Sequence, residues 1–345
     1  MVRPVAARRN YRNGNKIKRV IRSILPMGYY LRKCTGIALA GLIWIGLCSS
    51  AFGQKLELVI LTSDTLTSTQ RTLHGLQKAV RSEHPEAEFP TFQISKNPFH
   101  NQEIVDSIRT LNPRLILTVG SPATSIAKEN FDDLPIVFSG VKYPSLSGFV
   151  DSTHGSIRNM TGASLDIPTD IQFNCFRQIV PGIKRIGVLY TDNTASLIPH
   201  ARIVARSLNI ELIALRVASE KDLPEVLDSL SLLVDGIWSV ADHNLFGPRS
   251  TRYILLNTVR KGIPFMGFSR HVVESGALFA LDFDYKAVGI QAGNIVNRIL
   301  AGESPVDIEV TSADVIWFHY NENTAKRINI EIPAELASVA KEVYR

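Results

Sequence analysis

From Lys55 onward, short apolar β-rich runs alternate with helical stretches, and this rhythm constrains the fold more than any other feature. KLELVILTSD (55–64), EFPTFQIS, RLILTVGS and LPIVFSGV read as strands. STQRTLHGLQKAVRSEH, NQEIVDSIRTLN and PATSIAKEN read as the helices that connect them, the first carrying its apolar positions at Leu73, Leu76 and Val80. A strand that is apolar at consecutive positions is buried on both faces. That requires a parallel sheet sandwiched between helices.

The pattern restarts after Asn159. RIGVLYTDN (185–193), IELIALRV, GIWSVADHN and IPFMGFSR again end strands, with helices between them. Asp64 and Asp192 lie 128 positions apart, and the strand-opening prolines Pro135 and Pro264 lie 129 apart. The expected fold class is therefore α/β, with two Rossmann-like lobes of parallel sheet. The final ALFALDFDYKAVGIQAGNIVNRIL and IEVTSADVIWFHYN segments cross back between lobes, so neither lobe is contiguous. The expected boundaries are 54–160 plus about 286–315 for the first lobe, and 161–285 plus about 316–345 for the second.

Residues 1–53 read differently. They hold ten Lys or Arg and no acid, leaving 28 bases against 32 acids in the rest of the chain, so the overall charge of +6 belongs to the leader. A nucleic-acid partner is accordingly not expected. Arg32 and Lys33, the apolar GIALAGLIWIGLC and the small Ala51 and Gly53 have the layout of a Sec-type signal with cleavage before Gln54, and Met27 would give such a signal conventional length. A periplasmic or otherwise extracytoplasmic location follows. A retained anchor is disfavoured because the apolar run is shorter than the ~20 residues of a spanning helix. A lipid anchor on Cys48 is disfavoured because Leu47 stands where a bacterial lipobox has Gly, Ala or Ser. Beyond the leader the one cysteine is Cys175, expected as a buried small hydrophobe on an amphipathic helix.

Open α/β sheets bind ligands beyond the carboxyl ends of their strands. That rule collects Ser63 and Asp64, Ser121, Pro122, Ala123 and Thr124, and Val141, Lys142 and Tyr143 from the first lobe. From the second it collects Thr191, Asp192 and Asn193, Asp242, His243 and Asn244, and Ser269, Arg270 and His271. Ser121 before Pro122 is expected to cap a helix whose free amides face a polar ligand. Asp242 is placed to meet a cation or a ligand hydroxyl, and Lys142 and Arg270 to set positive charge over the cleft. Tyr143, Phe246 and Phe268 could stack on a ring. No G-x-S-x-G elbow, HExxH, CxxC or glycine-rich phosphate loop occurs. The chain is therefore read as a binder and not an enzyme, with no cofactor and no metal. Catalysis at Asp242 and His243 is the minority reading.

GSPATSIAKEN, LPIVFSGVKYPSLSGFV, NMTGAS, PGIKRIGVLYTDN, GIWSVADHNLF, KGIPFMGFSRHVVESGALFALDFDYKAVGIQAGNIVNRILAGESP and NENTAKRINIEIP occur in this order. Together they resemble the ABC-transporter substrate-binding proteins related to tryptophan- and tyrosine-type amino-acid binders. The resemblance implies a type I periplasmic binding protein fold, joined by crossover strands, that captures a small solute and delivers it to an ABC permease; a monomer is expected. A periplasmic sensing module coupled to a membrane receptor or kinase is the alternative. It also implies that Ser121–Thr124 hold a ligand carboxylate, that Asp242 and Asn244 form the second-lobe turn, and that Thr161 and Gly162 form a crossover beside the cleft. The chain departs from the family at two candidate acids, where Lys142-Tyr143 and Ser269-Arg270 stand. That shifts the expected solute from an ordinary amino acid towards an aromatic, acidic or otherwise anion-bearing one.

Overall fold

The first strand is buried at all five positions, as a doubly covered sheet requires. The computed structural model describes residues 56–151, 155–157 and 159–345; the expected leader lies outside the described residues. In chain order the first half runs β1 (Leu58–Thr62), α1 (Thr67–Glu83), β2 (Thr91–Gln93), α2 (Pro98–Leu111), β3 (Leu115–Val119), α3 (Ser121–Asn130) and β4 (Ile136–Val141). A small antiparallel pair, β5 (Val150–Asp151) and β6 (Gly155–Ser156), precedes β7 (Met160–Ser164). The sheet order is β2-β1-β3-β4-β7, every pairing parallel.

The second half comprises α4 (Thr169–Ile179), β8 (Arg185–Tyr190), α5 (Leu197–Ser207), β9 (Glu211–Arg216), α6 (Leu223–Ser231), β10 (Gly236–Trp238), α7 (Pro248–Arg260), β11 (Phe265–Gly267), α8 (Arg270–Glu274) and β12 (Phe279–Phe283). Helix α9 (Tyr285–Leu300) follows, then β13 (Ile316–Asn321), α10 (Glu322–Arg327), α11 (Ala334–Ser338) and β14 (Glu342–Tyr344). The sheet order is β14-β13-β12-β11-β10-β8-β9, parallel except where β13 runs against β12. The two halves share the arrangement β2-β1-β3-β4 and β9-β8-β10-β11. They even share a hydrogen bond: Ile116 donates to the Pro135 carbonyl and Ile237 to that of Pro264, both at 2.9 Å.

Alternate residues of the first sheet feed two cores. Leu58 and Ile60 face α1 and α9, while Val59 and Leu61 face α2 and α3. The second sheet is likewise packed between α4–α5 and α6–α7. Helix α9 returns to the first half and lies along α1 at very close range. A Cβ on Gly289 would come within 2.0 Å of the Thr72 carbonyl oxygen, and one on Gly293 within 2.7 Å of that of Leu76. Glycine is thus what lets the returning helix seat there. Cys175 is buried on α4, and burial pushes its thiol up to about 12.

The expected lobe boundary at 160/161 falls inside β7. Met160, Thr161, Gly162 and Ala163 pair in register with Ile136, Val137, Phe138 and Ser139, so the strand stays in the first sheet until Ser164. The chain then crosses over. Ser164 and Thr311 lie side by side, with the Ser164 amide donating to the Thr311 carbonyl at 2.8 Å, and Asp284 donates to Val315 at 3.2 Å. Three crossover segments therefore run together between the sheets.

Candidate functional site

The segment after β1, the carboxyl ends of β11 and β12 and the start of β13 converge on the gap between the sheets. A cavity of about 500 Å³ opens there. Thr67, Ser68 and Arg71 of α1 line it from the first lobe, and Ser269, Arg270, Asp282, Trp317, Lys341 and Glu342 from the second. Trp317 carries two cations near its ring, Arg71 at 5.5 Å and Lys341 at 4.7 Å. Arg71 also pairs with Asp284 at 3.2 Å, and Arg270 with Glu342 at 3.1 Å. His319 is enclosed in the same wall with no hydrogen-bond partner on either ring nitrogen, and burial lowers its pKa.

A smaller cavity of about 40 Å³ lies beside it, lined by Lys142, Tyr143, Asp166, Gln172, Phe268 and Phe283 among others. Here the first-lobe lip reaches into the second lobe. The Ala241 amide donates to the Tyr143 hydroxyl at 3.2 Å, and the Tyr143 amide donates to Asp166 at 2.8 Å. These bonds hold Tyr143 at φ 51°, a left-handed conformation that costs a non-glycine residue about 1–3 kcal/mol. Burial pushes the Tyr143 hydroxyl up to about 12. Lys142 is only partly covered by area, yet burial dominates at its ammonium and draws the pKa below the ordinary lysine value, against the attraction of Asp282 and Asp166. Burial pushes Asp166 up to about 6, against the Tyr143 amide and the Lys142 charge.

Several expected site residues stand elsewhere. Ser121 is not a cap: Gly120 occupies the cap position at φ 94°, and the oxygen that serves the first turn of α3 is Ser63 Oγ, which accepts from the Ala123 amide at 3.0 Å. A side chain on Gly120 would collide with Ser63, so that glycine is dictated twice. Ala123 and Thr124 are fully buried, the Thr124 hydroxyl donating to the Gly120 carbonyl at 2.9 Å; Pro122 is exposed in the first turn. Thr161 and Gly162 are not themselves a crossover: they lie within the first sheet, where the Gly162 carbonyl accepts from the amide of Thr311 in the third crossover at 3.0 Å. The Thr161 hydroxyl bonds to the Ile308 carbonyl, and Gly162 packs on Phe138. Asp64 closes the turn that leads into α1, accepting from the Leu66 amide at 2.9 Å and the Thr69 hydroxyl at 2.6 Å, with Leu66 itself at the cap position.

Asp242 is buried and already committed. It accepts from the Thr191 amide at 3.2 Å, the Thr191 and Thr194 hydroxyls at 2.7 Å, and the Asn244 amide at 3.0 Å. Burial alone would raise its pKa, but these donors hold it below the ordinary carboxylate value. Its work is to tie the loop after β8 to the loop after β10. Thr191 and Asn244 line a separate cavity of about 110 Å³ inside the second lobe. Asn193 and His243 are exposed. Phe246 packs against Phe268 with ring centroids 5.0 Å apart. Of the sequence candidates, Lys142, Tyr143, Phe268, Ser269, Arg270 and His271 are therefore the ones lining the two interlobe cavities. Asp166, Asp282, Arg71 and Trp317 were missed, because nothing local marks residues whose place depends on the crossovers. Among the described residues no group of three or more His, Cys, Asp or Glu could hold a metal ion, and no helix is long and apolar enough to cross a membrane.

Two parallel-sheet lobes, non-contiguous and joined by crossover segments around a cleft, define the type I periplasmic binding protein class. Residues 58–344 match the model of the ABC transporter substrate binding protein family, and the chain belongs to that family. It is a solute-binding protein. A tyrosine-binding protein of Clostridioides difficile is 25% identical over 244 residues, 70% of each chain. The ligand-free, open structure of a substrate-binding protein with adhesive properties from Clostridium difficile is similar at TM-score 0.70 and 20% identity, covering 84% of this chain and 99% of that one. A Streptococcus pneumonia ABC domain in complex with L-Trp is similar at TM-score 0.61 and 18% identity, with the same coverage. At these identities the solved structures bear on the fold alone.

Proposed function

We propose that the chain is the extracytoplasmic receptor of an ABC importer, taking a small aromatic or anion-bearing solute between its lobes and presenting it to a membrane permease as a monomer. The observation that carries this is the cavity of about 500 Å³, lined from both lobes and holding Arg71, Arg270, Lys341 and Trp317. Its size suits a metabolite. An indole face with cations around it suits an aromatic or carboxylate-bearing guest. The tyrosine named for the Clostridioides difficile relative, an aromatic solute, points the same way.

On this reading the first lobe comprises residues 56–164 and 285–310, and the second 166–283 and 316–345. The segments at Leu165, Asp284 and 311–315 form the hinge. A guest touching Arg71 and Arg270 together favours the closed state, since that state alone offers both contact sets. A thermal-shift screen of amino acids, aromatic acids, nucleosides and small anions tests it. A true solute at 100 times its dissociation constant stabilises by about 2.7 kcal/mol, and Trp317→Ala abolishes that shift. A hit indifferent to Trp317→Ala places the solute elsewhere and rejects this reading.

A further inference from the structure

Lys142 leaves the first lobe and ends in a setting built largely by the second. Its ammonium lies 5.9 Å from the Phe268 ring centre and 5.5 Å from that of Phe283, within the range of cation–π attraction. The carboxylates of Asp282 and Asp166 attract it from the end of β12 and from just past the first crossover. Two aromatic faces with two acids is the chemistry of a receptor for an organic ammonium ion. About 40 Å³ of free space remains beside it, room for roughly one water molecule.

We propose that Lys142 is a specificity-determining residue that fills the cleft's cation seat with the chain's own side chain. A solute therefore cannot place an ammonium group there, and the class admitted is one bound without its amine in that seat. This rests on the solute-binding reading above. It adds that the seat is complete before any solute arrives, because its occupant is covalently attached. The tether also joins the lobes: with the Tyr143 hydroxyl on the Ala241 amide, the lip Val141–Tyr143 bridges the gap unaided.

Truncation tests it. Lys142→Ala removes three methylenes and the ammonium, the heavy atoms of n-propylammonium, and leaves Phe268, Phe283, Asp166 and Asp282 around the void. Added n-propylammonium is expected to raise the thermal midpoint of Lys142→Ala in a saturable way. At ten times its dissociation constant the folded-to-unfolded ratio rises about elevenfold. The wild-type midpoint is expected not to move, and 1-propanol at equal concentration does not substitute. Should the variant be too unstable to purify folded, its refolding yield with propylammonium, against sodium chloride of equal ionic strength, gives the same readout. No amine-specific gain in midpoint or yield, an equal gain from propanol, or an equal gain in the wild type would overturn the proposal. Amine rescue with no solute found would leave the seat and remove the transport reading; a solute found without amine rescue would do the reverse.

Discussion

Lys142 and Arg270 end equivalent strands of the two sheets, 128 positions apart, and carry the same charge into very different surroundings. Arg270 keeps an exposed pairing with Glu342, with side chains 47% and 37% accessible, and its own amide donates to Asp282 at 3.2 Å. Lys142 crosses to the other lobe and lodges over Phe268 and Phe283. The same contrast holds along both lips. The second-lobe lip satisfies itself through Asp242, whereas the first-lobe lip finds its partners across the gap. Equivalent position in a repeated fold thus fixes where a side chain starts and leaves open what it meets.

The largest effect expected from breaking that contrast is at Asp242. Asp242→Ala leaves two buried hydroxyls and two amides without their acceptor and should cost about 3 kcal/mol in urea unfolding. A loss below about 1 kcal/mol would mean that the second lip does not depend on it.

Asp166 gives the next largest signal. Its pKa of about 6 in the folded chain exceeds the ordinary 3.8. Between those values the folded state therefore binds more protons than the unfolded one, and stability falls as pH rises through the window. Each unit of displacement is worth about 1.4 kcal/mol. The groups acting on it are the Tyr143 amide, the Lys142 ammonium and the Ser164 hydroxyl, all of which favour the carboxylate and are outweighed by burial. Asp166→Asn should flatten the midpoint-against-pH curve between pH 4 and 6, whereas an unchanged slope would show that the carboxyl is not enclosed.

Smaller differences separate cap from bystander. Ser63→Ala should cost about 1 kcal/mol through the lost bond to the Ala123 amide, while Ser121→Ala should stay within about 0.5 kcal/mol. Reversed values would restore Ser121 as the cap. Smallest of all, Arg270→Met should cost less than about 1 kcal/mol, as expected of an exposed ion pair. A cost matching that of Asp242→Ala would erase the distinction between the lips.

The strands, the helices between them and the doubled architecture were legible because continuous apolar runs leave a chain few places to go. The cap was not, since its oxygen comes from Ser63, 60 positions before the amide it serves. Thr161 and Gly162 read as crossover, but burial of Met160–Ser164 on both faces holds that strand in the first sheet for its whole length. Asp242 and Lys142 stood out as charged residues at strand ends. What each one binds was invisible, because Thr191, Thr194, Phe268 and Phe283 come from other loops and other strands.

Solution X-ray scattering on the protein with and without a solute from the thermal-shift screen bears most directly on lobe closure. Saturating solute should reduce the radius of gyration as the lobes draw together around it, and Trp317→Ala should remove the change. A bound solute with no change in radius would contradict capture by closure.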